Sequence, residues 1–336
     1  MSNYPKVNYI GNKANLSKWI IKNLPLKKGI ILDLFCGGCS VSYALKEAGY
    51  TVYANDILYS NYVLAKAIIE NSNVHLDKNE YEIKISKKII DEIYQKIRFL
   101  ENKLFYSDEV KELAKLIAIS NKLDNYKRYI YLSLLRRAMI RKIPYSRMNV
   151  PWNQIVKLRD EEYSYKKYKR RRAYHNKSFL FHINNNLDNY NYAVFDNKKR
   201  NIAFNSDSFE MIDKLKKKVD MIYLDPPYPA TMNKYDEFYG SYDIMFNHQK
   251  KFVNFSKNNM FVKNMEKLIK KCINKTKYVI ISENTNTRPS VKELSLMLKK
   301  YGTVSTREKK HQYKFTGKDK KNKSSEILII LKMKTV

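Results

Sequence analysis

Apolar residues recur along this chain in two rhythms. Short runs of apolar, β-branched or aromatic residues, several ending in an acid, read as strands: residues 29–33, 51–56, 201–207, 220–225, 278–283, 303–308 and 326–331. Stretches with helical spacing lie between several of them, at 40–49 (closed by Gly49), 252–274 and 290–300. Strand, helix, strand in the first sixty residues dictates a parallel pair joined by a right-handed crossover. After the second strand the pattern changes to long helical segments such as 82–100 and 110–119, then returns to strands. The expected architecture is α/β, a doubly wound seven-stranded sheet with a mostly helical insertion. Its expected domains are 1–60 with 201–336 for the sheet, and 61–200 for the insertion. No internal repeat is visible.

The chain has 336 residues, 44% of them hydrophobic, enough for a proper core and too many for a disordered chain. No apolar run approaches the roughly 18 residues of a membrane span. The opening MSNYPKVNYIGNK lacks the basic-then-apolar layout of a secretory signal, so a cytoplasmic protein is expected. Three cysteines, Cys36, Cys39 and Cys272, cannot build a disulfide framework and are expected reduced.

Lys and Arg number 65 against 33 Asp and Glu, a net charge of +32. Such a surplus favours a polyanionic partner, nucleic acid before an anionic membrane. A Lys-, Tyr- and Asn-rich composition also follows from an AT-rich genome, and clustering separates the two explanations. Residues 126–177 hold sixteen bases against Asp160, Glu161 and Glu162, a surplus of thirteen. Tyr163, Tyr165, Tyr168 and Tyr174 interleave with them and offer ring faces for bases or sugars. This window is the candidate phosphate-binding surface.

The segment Asp33-Leu34-Phe35-Cys36-Gly37-Gly38-Cys39-Ser40 follows the first strand and opens the first helix. That turn falls at the carboxyl edge of a doubly wound sheet, where nucleotide-like ligands sit. Glycine there lets the backbone approach a ligand closely. Asp56, ending the second strand, can accept both ribose hydroxyls of an adenosine. The full G-x-G-x-x-G is absent, so a pyrophosphate is poorly served. An adenosine ligand without phosphates, such as S-adenosylmethionine, fits better. Cys36-x-x-Cys39 invites a redox or zinc reading, but no second ligand pair and no thioredoxin-like context accompany it.

Met221-Ile222-Tyr223-Leu224 delivers Asp225-Pro226-Pro227-Tyr228 to the same edge. Two prolines fix their own φ angles and restrict the residue before each, so Asp225 and Tyr228 are held in fixed relation. Asp225 and a proline carbonyl can accept both hydrogens of an exocyclic amine while Tyr228 faces the ring that bears it. The chemistry this suits is direct methyl transfer from a sulfonium to an amino nitrogen. Alignment and charge stabilisation are the protein's task, with no metal and no covalent nucleophile required.

With these residues in view, the chain resembles DNA adenine-N6 methyltransferases of the Dam-like alpha group, the D12 class. Tyr9-Ile10-Gly11-Asn12-Lys13 is similar to the family's N-terminal cofactor motif, Asp33 to Gly38 to its glycine motif, and Asp225 to Tyr228 to its catalytic tetrapeptide. The resemblance covers nearly the whole chain except the insertion. It implies a class I methyltransferase fold, Rossmann-like, with S-adenosylmethionine as cofactor. It further implies that Tyr9 packs on the cofactor and Lys13 sits near the transfer site. Phe35 and Gly37 would line the methionine side, with Asp33 also counted at the cofactor, Asp56 at the ribose and Asp207 at the cofactor's adenine. Asp225, Pro226, Pro227 and Tyr228 would take the target base, with Asp225 also counted at the cofactor. Ser282-Glu283-Asn284 falls where the family has a pocket-lining strand end, and Ser146-Arg147-Met148-Asn149-Val150-Pro151-Trp152-Asn153 resembles an Arg-x-Asn segment. Cys36 and Cys39 depart from the smaller or different residues usual there.

The expected partner is double-stranded DNA, with a companion restriction endonuclease as the functional counterpart and the nucleoid as the place of action. Target adenine is paired and stacked, so it must be flipped into the pocket. Arg136, Arg137, Arg141, Arg147, Lys169, Arg170, Arg171 and Arg172 are the candidate DNA-binding residues. Residues 231–243 are expected to form a flap over the flipped base, or a plain surface loop. Residues 307–323, with eight bases and two acids, are expected to be a solvated hairpin or a further backbone contact. On the residues alone, a cytosine-N4 or RNA base methyltransferase, a non-catalytic DNA-binding module and a nicotinamide enzyme stay open.

Overall fold

The computed structural model describes residues 3–229, 234–311 and 324–334. Residues 231–233 of the expected flap and 312–323 of the expected hairpin lie outside the described residues. The chain forms two compact units: a helical unit of Met1–Asn12, Leu58–Asp196 and Tyr235–Gln249, and a sheet unit of Lys13–Ile57, Asn197–Lys234 and Lys250–Val336. No helix among the described residues is long and apolar enough to cross a membrane.

In the sheet unit, β1 (Ile30–Asp33), β2 (Thr51–Asn55), β3 (Ile202–Phe204), β4 (Val219–Leu224), β5 (Thr276–Asn284), β6 (Gly302–His311) and β7 (Ser324–Met333) form one sheet. All seven fall where the hydrophobic pattern predicts strands. Their order is β3-β2-β1-β4-β5-β7-β6. The first five are parallel, and β7 runs antiparallel to both β5 and β6. The order reverses between β1 and β4, the switch point at which such sheets open a crevice beyond their carboxyl ends. Leu32, Ile222, Leu224, Val279, Ile281, Ile329 and Leu331 build the core of one face. They pack with Phe261, Met265, Leu268 and Leu294, carried by helices Asn258–Cys272 and Val291–Leu298. Helix Ser40–Glu47, the expected crossover, packs on β1 and β2 and against helix Ser17–Lys22. β4 is buried at every position but Asp220, so it reads as a continuous apolar run.

The expected helix at 252–274 begins only at Asn258. The six residues before it are diverted by polar side chains that compete for the backbone. Asp207 Oδ2 accepts Val253 N at 2.8 Å, and Asn254 Oδ1 accepts Ser256 N at 2.7 Å.

The helical unit centres on Asn125–Lys142, buried on every side from Ile130 to Ile140. It packs against Tyr59–Ala65, its π-helical continuation Lys66–Glu70, and Phe179–Asn184. Tyr235–Met245 is a helix of this unit rather than a flap or loop. Asp243 accepts the amides of Tyr59 and Ser60 at 2.8 and 3.1 Å, capping a neighbouring helix. Tyr242 OH donates to Leu132 O at 3.0 Å, and Phe238 O accepts Met148 N at 2.7 Å. These bonds draw residues 235–249 away from the sheet unit to which the sequence division assigned them. Residues 1–12 leave it likewise, because Arg136 donates to Val7 O and Arg137 to Asn8.

Candidate active site

The turn after β1 is built by backbone constraint. Cys36 N donates to Asn55 O at 2.9 Å and Cys39 N to Cys36 O at 2.7 Å, closing the chain on itself. Gly37 takes φ 49°, a region where a Cβ is costly. Its N–H donates to Asp56 Oδ2 at 2.8 Å, so the acid ending β2 pins the glycine turn. Asn55, which sequence reasoning passed over, ties three strand ends together. Its amide donates to Leu34 O and Ser206 O at 3.1 and 3.0 Å. Phe35 packs edge-on to Phe255, with centroids 5.5 Å apart.

Asp33, the last residue of β1, lies beneath this turn. Ser42 Oγ donates to its Oδ2 at 2.6 Å, while its buried Oδ1 has no partner among the described residues. Burial, reinforced by the charges of Asp225 and Asp56, pushes its carboxyl up to about 7. Asp207 holds two backbone amides. Its Oδ1 caps the helix Ser208–Lys214 through Phe209 N, at 2.8 Å, while Oδ2 holds Val253. Each oxygen keeps a further lone-pair direction for an exocyclic amine.

Asp225 leaves the end of β4 next to Asp33, across the switch point. Its side chain stays 23% exposed, an opening that an incoming amine requires. Its carboxyl is nonetheless raised to about 6: desolvation dominates, the Lys13 ammonium opposes it, and Glu326 adds to it. Lys13 Nζ lies 3.5 Å from Asp225 Oδ1 and 2.6 Å from Glu326 Oε1. Ser282 Oγ donates to the same Glu326 oxygen at 2.6 Å. Tyr228 OH donates to Ser282 O at 2.6 Å, and its ring packs on Phe261 at 5.1 Å. Tyr228 is therefore anchored at its hydroxyl by the strand end that the sequence marked as pocket-lining. Glu283 beside it has its carboxyl pushed up to about 7 by burial.

The sheet unit thus gathers Lys13, Asp33, Phe35, Gly37, Asp56, Asp207, Asp225 and Tyr228 at the carboxyl ends of β1 to β4. It adds Glu326, which sequence reasoning missed. The available signal was an acid opening the otherwise apolar run Ile327–Leu331 of a buried strand. Tyr9 belongs to the helical unit, where its ring stacks on Tyr235 and Tyr239 with centroids 5.6 and 5.1 Å away.

The basic window divides by burial. Arg136 and Arg137, expected to contact DNA, are 1% and 6% exposed and are structural. Arg136 lies over the rings of Tyr9 and Tyr239, and Arg137 donates to Asn186 Oδ1 at 2.8 Å. Such bonds compensate the desolvation of a guanidinium, which then has no reach to a phosphate. Lys142 and Arg159 are likewise buried, both paired with Glu109. Arg141 is half-buried under Tyr174, 4.1 Å from its centroid. Arg147 lies between Tyr145 and Phe238, its Nε buried without a partner among the described residues. Lys169, Arg170 and Arg171 are exposed, with Arg172 half-buried beside them. Tyr165, Tyr168 and Tyr174 are exposed among them at 45%, 38% and 38%.

Residues 9–295 match the family described as D12 class N6 adenine-specific DNA methyltransferase. The chain belongs to that family. It is 44% identical to the Type II methyltransferase M2.HphI of Haemophilus parahaemolyticus over 98% of each chain. It is 27% identical to the Modification methylase StsI of Streptococcus sanguinis over 66% of this chain and 33% of that one. This methyltransferase accordingly methylates the N6 amino group of adenine in DNA. Membership implies S-adenosylmethionine as the donor. The residues present suit that cofactor: a buried carboxylate oxygen with no donor among the described residues, Asp33 Oδ1, is what the cofactor's ammonium would satisfy.

Proposed function

We propose that the sheet unit holds S-adenosylmethionine through Asp33, Phe35, Gly37, Asp56 and Asp207, and takes a flipped adenine at Asp225-Pro226-Pro227-Tyr228. When bound, the cofactor would supply an activated methyl carried on a sulfonium. Asp225 accepts an N6 hydrogen and, as the nitrogen becomes cationic, stabilises the charge and can take the proton shed. The two prolines keep that carboxylate aimed, and Tyr228, tethered by its hydroxyl, walls the pocket. Because the methyl is already activated, the transfer calls for no metal. The observation that carries this reading is the half-open carboxylate of Asp225 next to Asp33 at the switch point.

The helical unit serves target recognition in this reading. Lys169, Arg170, Arg171 and Arg172, with the interleaved tyrosines, supply phosphate and stacking contacts. Arg141 and Arg147 lie closer in to the fold and suit contacts that need a fixed guanidinium. The relatives' names, a type II methyltransferase and a modification methylase, support double-stranded DNA as substrate. A companion restriction endonuclease as functional counterpart, and action at the nucleoid in the cytoplasm, belong to the same reading. Sequencing the DNA of cells that express the protein, with a readout for modified bases, tests the assignment. N6-methyladenine at one short sequence is expected, absent with Asp225→Ala. Methylation retained by that variant would overturn the role given to Asp225.

A further inference from the structure

Three facts surround Glu326. It is fully buried at the start of β7, where it pairs in register with Asn284 of β5 and Lys309 of β6. One of its oxygens takes both the Lys13 ammonium and the Ser282 hydroxyl, each at 2.6 Å. The same ammonium stands off from Asp225 at 3.5 Å, near enough to act through its field and too far for a good charge-assisted hydrogen bond. A buried carboxylate is costly unless it is paired, and packing alone gives no reason for an acid at this position.

We propose that Glu326 is a positioning residue for methyl transfer, holding the Lys13 ammonium back so that it does not cap Asp225. The lone pairs of Asp225 then remain available to the amine. Released from Glu326, Lys13 has the reach to close on Asp225 and occupy the oxygen the substrate needs. The groups acting on Asp225 from the surrounding elements are Lys13, Glu326 on β7, Asp33 on β1, Tyr223 on β4 and Tyr228, with Glu283 on β5 acting on Tyr228. Among them only Lys13 is cationic, so the balance between Lys13 and Glu326 sets how far the effect of desolvation on Asp225 is offset. The inference rests on the reading that ionised Asp225 receives the amine.

The test is the pH dependence of tritiated methyl transfer by the full chain to unmodified phage DNA long enough to contain any short recognition sequence. Wild type should lose activity on the acid side as Asp225 protonates, near pH 6. Lys13→Met should move that limb up. Glu326→Gln should move it down, with kcat lower by about tenfold and KM for DNA within about twofold. These opposite movements are not the signature of a merely structural pair, which would lower activity equally at every pH. An unmoved limb in Glu326→Gln, or one that moves up, overturns the proposal. If Glu326→Gln folds poorly, the double variant Lys13→Met with Glu326→Met removes both buried charges. With no ammonium left to cap Asp225, the loss of Glu326 should cost no further kcat beyond Lys13→Met, and a further fall of about tenfold overturns the proposal. Asp225→Asn separates the two readings. Activity retained there defeats the role of Asp225 itself, whereas an inactive Asp225→Asn beside an unmoved Glu326→Gln limb defeats only the role of Glu326.

Discussion

Neutralising Glu109 should damage the helical unit more than any single change on its surface. Glu109 lies in the helix Ser107–Ser120 and accepts Arg159 through both oxygens, at 2.6 and 2.8 Å, and Lys142 at 2.7 Å. The three side chains are 9%, 4% and 1% exposed, so Glu109→Gln leaves two buried cations facing a neutral amide. Removing one partner of a buried pair costs about 3–5 kcal/mol, and this triad, almost wholly enclosed, belongs at the upper end. For a unit of this size the melting temperature should fall on the order of 10 °C. Arg159 also holds the strip that follows it, since its Nε donates to Asn176 Oδ1 at 3.1 Å. Hydrogen exchange should therefore speed up first at residues 152–177, and DNA affinity should drop with it. Burial works against the charge on Glu109, but Arg159 and Lys142 outweigh it and hold the carboxyl below the usual glutamate range. Its contribution is thus complete above the unfolded value near 4.3 and is lost as pH falls through the lower folded one. Calorimetry of Glu109→Gln at neutral pH checks the magnitude, and replacing all three residues by apolar ones should restore much of the loss. A single variant melting within about 1 °C of wild type would refute the reasoning.

Three further outcomes are expected. DNA affinity should fall steeply with salt; Lys169→Ala, Arg170→Ala and Arg171→Ala together should flatten the log–log slope by up to about 0.9 for each phosphate no longer neutralised, as filter binding across a salt series will show. Arg136→Ala should instead lower stability and leave the slope of the surviving folded protein unchanged, because its guanidinium is spent on Val7 and two tyrosine rings. His175 and His182 are held neutral, burial depressing both to about 4. Their contribution is whole above the unfolded value near 6.5 and drains away as pH drops from there toward 4, so NMR or hydrogen exchange should find residues 173–184 loosening before the sheet unit does.

The sheet was legible because each strand carries its own signal within a few residues, and Asp225-Pro226-Pro227-Tyr228 announces itself as one contiguous word. Glu326 was not legible in that way. It meets Lys13 across 313 positions, and only the insertion of β7 beside β5 brings them together. Arg136 and Arg137 misled for the opposite reason. A helix buried on all sides must place some polar residues inward, so charge there does not mark a surface. Residues 231–243 come soon after Asp225-Pro226-Pro227-Tyr228, which suggested a cover for the pocket or a plain surface loop. Their fate was decided by Asp243 and Tyr242, whose backbone partners at 59, 60 and 132 are distant in sequence.

The place of β7 in the strand order has a consequence for synthesis. It is the last strand of the sheet to emerge from the ribosome, yet it docks between two strands made before it. Until residues 324–333 are available, β5 presents an unsatisfied row of amides and carbonyls, a template for mispairing with another nascent chain. Those same residues bring the acid that tethers Lys13. A growing chain therefore keeps an open sheet edge, with Lys13 not yet tethered, until its last strand docks.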